Sequence, residues 1–397
     1  MGHPRDEPDI PFPRFNDRRV AEVRALPAGF LSGRLASNRA LRAVRVFYKT
    51  VSLLDCRQSD IIAPPWKSSP TSASSPTGTS TSSPWGSRGV DLETVVQVEE
   101  LVRHFGPVKA VDGISFTVGR GEVFGLLGPN GAGKTTTLET AEGLLGPTSG
   151  RTMVLGFDTH REPERVKERI GVQLQASAYF DYLTLAEILG LFGRFYPRRI
   201  PARVLLERVG LLEKASTPVG KLSGGQKQRF TVAAALVNDP EVVFLDEPTT
   251  GLDPQARRNV WDLISAIHRE GRTVVLTTHY MEEAQSLCQR VAIMDKGRIV
   301  ALDTPPNLIR RLPTPYQIKV ILSASVAEAE LAALPGVQGV ARQDDGTFSL
   351  GCADAARTLA GLQAWASGRG LSLEYLEVIP ATLEAVFLEL TGKGLRD

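Results

Sequence analysis

The sequence predicts an α/β protein in which a phosphate-binding loop sits at one edge of a parallel sheet. Three stretches predict it. Gly128-Pro-Asn-Gly-Ala-Gly-Lys-Thr135 follows a short apolar run, 122–127, and opens a helical pattern at Lys134. VVFLDEP, 242–248, is a continuous apolar run that ends in two acids, and TVVLTTH, 273–279, is another that ends in a histidine. Apolar runs without alternation fit strands buried on both faces of a parallel sheet. In such sheets the ligand lies beyond the carboxyl ends of the strands, where all three stretches place polar groups.

Residues 1–95 are expected to be a disordered extension. Residues 1–50 carry ten Lys/Arg against five Asp/Glu with no clear period, and 67–87 is a Ser/Thr tract interrupted by Pro70, Pro76 and Pro84. That composition cannot bury a core. The stretch 34–49 has the pattern of a basic amphipathic helix that could touch a membrane surface, but nothing nearby supplies a second anchoring signal.

Order is expected from Val96. Residues 96–102 and 113–118 read as strands, 134–145 as a helix and 185–237 as mostly helical, broken at Pro197, Pro201 and Pro218. After Pro315 the pattern becomes strand 316–322, helix 326–334, a hairpin of 339–343 and 347–351, helix 353–367 and strand 371–379. That order is βαββαβ, with a closing helix at 382–390.

Composition narrows the function. With 397 residues, a net charge of +2 and 42% hydrophobic content, the chain has the length of two ordinary domains. The near balance of charge gives no reason to expect nucleic acid. Cys56, Cys288 and Cys352 are far apart, form no metal spacing and suit a reducing compartment. No apolar run reaches the length of about 18 residues that spans a bilayer, and no signal peptide is visible.

The loop matches G-x-x-x-x-G-K-[ST] in its required strand–turn–helix context. Gly128, Gly131 and Gly133 let backbone N–H groups converge on one anion, and the helix adds its positive end. Lys134 would reach the β- and γ-phosphates, and Thr135 would hold Mg²⁺. Asp246 is placed to reach the same ion, directly or through water, and Glu247 to polarise the attacking water.

Leu222-Ser-Gly-Gly-Gln-Lys-Gln-Arg229 opens another helical stretch, 226–238, with a second anion-binding start. With this octet added to the loop, the acids and His279, residues 96 to about 310 resemble the nucleotide-binding subunit of ATP-binding cassette transporters. The resemblance implies a P-loop NTPase cassette with a helical signature subdomain at 96–312, followed by a small α+β (βαββαβ-like) C-terminal domain at 315–397. It implies that Phe105 stacks on adenine, in place of the more usual Tyr, and that Asn130 and Thr136 join the nucleotide contacts. Gln175 matches the glutamine that contacts Mg²⁺ and water and senses the permease, with Gln173 as a rival. Ser223, Gly224, Gly225 and Gln226 would contact ATP held by a second copy, with Asp253 in the loop that crosses between copies. His279 matches the switch histidine on the γ-phosphate. Two copies would pack head to tail around two ATP molecules.

The branch most similar is that of daunorubicin-resistance-type exporters, through Gly251-Leu-Asp-Pro-Gln-Ala-Arg257, His279-Tyr-Met-Glu-Glu-Ala284 and the tail 381–391. It implies a peripheral ATPase at the cytoplasmic face of a bacterial membrane, powering a separate permease that exports a drug, lipid or polysaccharide. The competing reading is a non-transport cassette ATPase acting on ribosomes or DNA. Against it stand a single phosphate loop, a single signature and no sustained heptads between them.

A chain beginning at Asp91 is therefore expected to fold and hydrolyse ATP like the full-length protein. Soluble yield and phosphate release check this, and insoluble protein contradicts it.

Overall fold

The structure, a computed structural model, describes residues 93–174 and 179–392. The expectations for 1–92, including the amphipathic helix, lie outside the described residues.

The chain opens with a long hairpin, β1 (Thr94–Phe105) and β2 (Val108–Gly119), then enters the core through β3 (Val123–Leu127) and α1 (Lys134–Ala141). The sequence pattern carried α1 on to 145, but the helix stops where Gly143 takes φ +73°. A Cβ there would sit 2.7 Å from the Thr159 carbonyl oxygen, so the turn requires glycine. β4 (Ser149–Val154), β5 (Phe157–Asp158), α2 (Pro163–Lys167) and β6 (Ile170–Gln173) follow.

A helical segment comes next: α3 (Leu185–Gly193), α4 (Ala202–Arg208) and α5 (Gly224–Ala235). It leads to β7 (Val242–Asp246), α6 (Pro254–Arg269), β8 (Thr273–Thr278), α7 (Met281–Leu287), β9 (Arg290–Asp295), β10 (Arg298–Asp303) and α8 (Pro305–Arg310). The last part comprises β11 (Tyr316–Leu322), α9 (Glu328–Ala332), β12 (Val337–Arg342), β13 (Phe348–Cys352), α10 (Ala355–Gly368), β14 (Leu373–Pro380) and α11 (Leu383–Thr391).

The central sheet has the order β10-β9-β3-β8-β7-β6 and is parallel except at β10. Its strands alternate between two apolar layers. Val243, Leu245, Val274, Leu276 and Ile293 pack with the helical segment. Phe124, Leu126, Val242, Phe244 and Val275 pack with α1 and with the antiparallel sheet β2-β1-β4-β5. Phe116 and Phe124 stack across that second interface at 5.1 Å. Burial on both faces explains why these strands read as unbroken apolar runs.

Register then sets the functional edge. Leu127 pairs with Thr278, and Asp246 pairs with Thr277. The residues that follow β3, β7 and β8 therefore emerge side by side.

The third sheet, β12-β13-β11-β14, is antiparallel throughout and has its own core around Ile318, Val320, Phe348, Leu350 and Leu362. After it the chain turns back. Leu383, Val386 and Phe387 of α11 join the apolar layer that also holds Ala284 and Leu308 of α7 and α8. The chain thus leaves the cassette after α8 and is fastened to it again by α11.

Phe387→Ala is expected to destabilise the protein by about 3–5 kcal/mol, the usual range for emptying a buried phenylalanine site. Leu388→Ala, on the exposed face of the same helix, should change stability by no more than about 0.5 kcal/mol. Urea unfolding of the two variants reads the difference, and equal shifts contradict the placement of α11.

Candidate active site

The phosphate loop is held open by contacts that only glycine permits. A Cβ on Gly128 would lie 2.3 Å from the Met294 carbonyl oxygen, and one on Gly133 would lie 2.3 Å from that of Ala110. Gly133 also has φ +101°. β2 and the end of β9 thus press directly on the loop and fix its curl. The same turn brings the tip of the β1–β2 hairpin beside it. There Phe105 is 46% exposed, with the Arg103 guanidinium 4.7 Å over its ring. Asn130 and Gly131 are exposed on the loop, and Thr136 is half-buried behind it.

Lys134 folds back into the loop. Its Nζ donates to the carbonyls of Gly128 (2.8 Å) and Pro129 (3.1 Å) and lies 3.4 Å from Glu247 Oε1. The side chains of Lys134 and Glu247 are only 4% and 5% exposed. Burial pulls the Lys134 pKa down, and the Glu247 charge opposes that. For Glu247, burial acts upward, but Lys134, the Thr250 hydroxyl and His279 outweigh it and hold the carboxyl below the ordinary glutamate value. It is thereby kept as a carboxylate, the form able to accept a proton.

Glu247 is also conformationally unusual. Its φ is +48°, left-handed for a residue with a Cβ. Its N–H donates to Thr277 Oγ1 at 2.9 Å, and Thr250 donates from Oγ1 to Oε2 at 3.0 Å and from its N–H to the Glu247 carbonyl at 3.3 Å. Such strain persists only where the surroundings over-determine the residue, and it clusters at functional sites. His279 follows β8 directly, with Nδ1 3.4 Å from Glu247 Oε2.

Asp246 lies on the other side of the strand end. Thr277 Oγ1 donates to Oδ1 at 2.5 Å and Thr135 Oγ1 at 3.2 Å. Burial raises its pKa; the two hydroxyls oppose the rise, and the neighbouring Glu247 charge adds to it. A buried carboxylate that resists ionisation beside a hydroxyl is a hard-oxygen pair that a divalent cation would favour, so Thr135 and Asp246 fit Mg²⁺. Gln173 Nε2 donates to the Asp246 carbonyl at 3.2 Å, while its buried Oε1 has no hydrogen-bond partner among the described residues. Gln175 lies outside the described residues.

The signature turn is built differently from its reading as a helix from 226. Ser223 caps a helix that starts at Gly224, its Oγ accepting from the Gln226 N–H at 3.4 Å while Gln226 Oε1 accepts from the Ser223 N–H at 3.1 Å. This mutual cap sets the start two residues earlier than the pattern suggests. A Cβ on Gly225 would meet that of Ala256 at 2.9 Å, so glycine lets α5 close on α6. Ser223 and Gly224 face outward. Asp253 caps α6, with Oδ1 accepting from the Ala256 N–H at 2.8 Å.

The structure thus brings together Lys134, Thr135, Asp246, Glu247 and His279 from three separate segments. Sequence reasoning missed Thr277 and Thr250, which organise the two acids. Threonines at a strand end and in a turn carry no motif of their own, although TVVLTTH and DEPTT contain them.

Comparison with known proteins fits this geometry. Residues 111–250 match the family model described as ABC transporter. The Nod factor export ATP-binding protein I of Ralstonia nicotianae is 39% identical, covering 78% of this chain and 97% of that protein. The linearmycin resistance ATP-binding protein LnrL of Bacillus subtilis is 36% identical, covering 76% and 100%. The daunorubicin resistance ATP-binding protein DrrA3 of Streptomyces coeruleorubidus is 38% identical, covering 77% and 98%. Among solved structures, cbiO1 of Clostridium perfringens, part of the ABC transporter complex cbiONQ, superposes with a TM-score of 0.50 at 30% identity, covering 55% and 92%.

Glu247→Gln keeps the shape of the base but not its proton affinity, and should lower ATP turnover by about 10²- to 10⁴-fold while leaving ATP affinity intact. Lys134→Ala should instead lose ATP binding. Phosphate release and nucleotide titration separate the two effects, and near-parental turnover in Glu247→Gln contradicts the assignment of the base.

Proposed function

The chain belongs to the ATP-binding cassette transporter family, as an ATP-binding and hydrolysing subunit of the exporter type, and from that premise we propose that it powers a separate membrane permease. The observation that carries this is the buried Lys134–Glu247 pair, with half-buried His279 beside it, at the ends of β3, β7 and β8. The unit 96–312 supplies the chemistry and 315–397 is an accessory unit fastened through α11. No helix among the described residues is long and apolar enough to cross a membrane. In this reading the membrane-crossing step belongs to another chain, with this one peripheral at the cytoplasmic face. The proposed cargo is a drug, lipid or polysaccharide; the relatives are named for Nod factor export and for linearmycin and daunorubicin resistance.

Each side chain has a part in the reaction. Lys134 exchanges its loop carbonyls for the β- and γ-phosphates of ATP, and Phe105 offers its exposed ring to the adenine. Asn130, Gly131 and Thr136 line the phosphate cradle. Thr135 and Asp246 would hold Mg²⁺, and Gln175 is the further ligand the family resemblance assigns; when bound, the ion neutralises phosphate charge. Glu247 accepts the proton of the attacking water at its carboxylate, and His279, beside it, contacts the γ-phosphate. The outward-facing Ser223–Gln226 turn completes the site of a second copy, with Asp253 between the two. ATP then closes a homodimer and hydrolysis releases it, giving the two states a transport cycle needs.

The permease docks near residues 175–191. Tyr182, 61% exposed on that stretch, is a suitable position for a photo-crosslinker. Irradiation of cells should yield an adduct with an integral membrane protein of several spans. An adduct with a ribosomal protein, or none in the membrane fraction, contradicts the proposal.

A further inference from the structure

One buried acid has no part in the chemistry above. Glu283 lies on α7, four residues beyond His279, and its surface is fully covered. Its Oε1 accepts two hydrogen bonds, from Thr249 Oγ1 at 2.9 Å and from Trp261 Nε1 at 3.0 Å. The Thr278 hydroxyl, at the end of β8, also faces the carboxylate. Thr249 belongs to the turn that follows Glu247, and Trp261 to α6, the helix that Asp253 caps. One oxygen atom therefore joins three segments that meet behind the cluster: the turn after the base, the helix after the loop of Asp253, and the helix after His279.

We propose that Glu283 is a positioning residue for ATP hydrolysis, which holds the turn carrying Glu247 against the segment carrying His279. The proposal rests on the reading of Glu247 as the base. Burying a carboxylate is unfavourable, and an apolar side chain would fill such a position more cheaply if packing were its only purpose. Burial pushes the Glu283 pKa up, and the hydrogen bonds and the nearby Arg257 charge act against that. Arg257 is itself stacked 4.1 Å over the ring of Tyr280, the residue after His279.

The route to the base is short. Thr249 is completely buried, so its hydroxyl has no solvent to turn to when its acceptor is removed. The adjacent Thr250 makes the 3.0 Å hydrogen bond to Glu247 Oε2. Glu247 holds a left-handed backbone that relaxes unless its neighbours prevent it. A shift of the turn moves the carboxylate away from the water while leaving the Lys134 loop in place. Turnover suffers and nucleotide affinity does not.

The experiment compares Glu283→Ala, Glu283→Gln and Glu247→Gln with the parent. It reads kcat, the KM for ATP, thermal unfolding and the indole N–H resonance of Trp261, assigned with Trp261→Phe. Glutamine keeps an acceptor for both donors without the charge. Glu283→Ala should lower kcat by about ten-fold or more with KM changed less than about three-fold, and should move the Trp261 resonance. Glu283→Gln should restore kcat to within about three-fold of the parent and return the resonance. A folded Glu283→Ala variant with kcat within about two-fold of the parent overturns the proposal, as does a loss that falls on KM, or a glutamine variant as impaired as alanine. If Glu283→Ala does not fold, Thr249→Val carries the test: a lowered kcat at unchanged KM supports the proposal, and a parental kcat overturns it. Parental turnover in Glu247→Gln overturns the reading of the base, and the proposal with it; parental turnover in Glu283→Ala alone overturns only the proposal.

Discussion

Two opposite charges held 3.4 Å apart with almost no exposure to water set the terms for the rest of this structure. Removing an ammonium and a carboxylate from solvent costs several kcal/mol each, roughly, and their mutual attraction offsets this only when the remaining donors and acceptors are satisfied. Around Lys134 and Glu247 they are. The carbonyls of Gly128 and Pro129 accept hydrogen bonds from the lysine ammonium, and the Thr250 hydroxyl donates to the carboxylate. Each partner comes from a segment that the parallel register of β3, β7 and β8 delivers to the same edge. The sheet is the device that lets residues more than a hundred positions apart share one buried pair.

That arrangement is poised to change. In the proposed function Lys134 gives up the loop carbonyls when phosphate oxygens offer more charge. Glu247 is then left with Thr250 and His279, and its proton affinity changes accordingly. The left-handed backbone at Glu247 accompanies a carboxylate that lies 3.4 Å from both Lys134 Nζ and His279 Nδ1. On the far side, α11 ties the antiparallel C-terminal unit to α7 and α8. The helix that follows His279 therefore packs against α11.

Much of this was legible in the sequence because motifs and periodicity are local. The loop, the acid pair, His279 and the signature are contiguous strings, and the βαββαβ order appeared with each strand within a few residues of its place. Element ends were less legible. A capping box moved the start of α5 to Gly224, and the left-handed turn at Gly143 ended α1 early. β4, β6, β9 and β10 were not read at all. β4 and β6 pair with strands distant in sequence, and Ser149–Val154 carries too few apolar residues to stand out, whereas the β9–β10 hairpin, with Arg298 opposite Asp295, is local and was missed all the same. Thr277, Thr250 and Glu283 were invisible for a related reason. Thr277 and Glu283 act through hydrogen bonds to residues made adjacent only by folding, and Thr250 reaches Glu247 within a single turn that carries no motif of its own.

The central claim is that one protomer holds half of each working site and that ATP supplies the contact between halves. Light scattering of Glu247→Gln with ATP and Mg²⁺ tests it most directly, because that variant should bind nucleotide without consuming it. The account requires a species of twice the 43.0 kDa chain mass that dissociates when ATP is removed and is lost on adding Ser223→Arg. A protein that stays monomeric at saturating ATP, with binding demonstrated in the same sample, contradicts it.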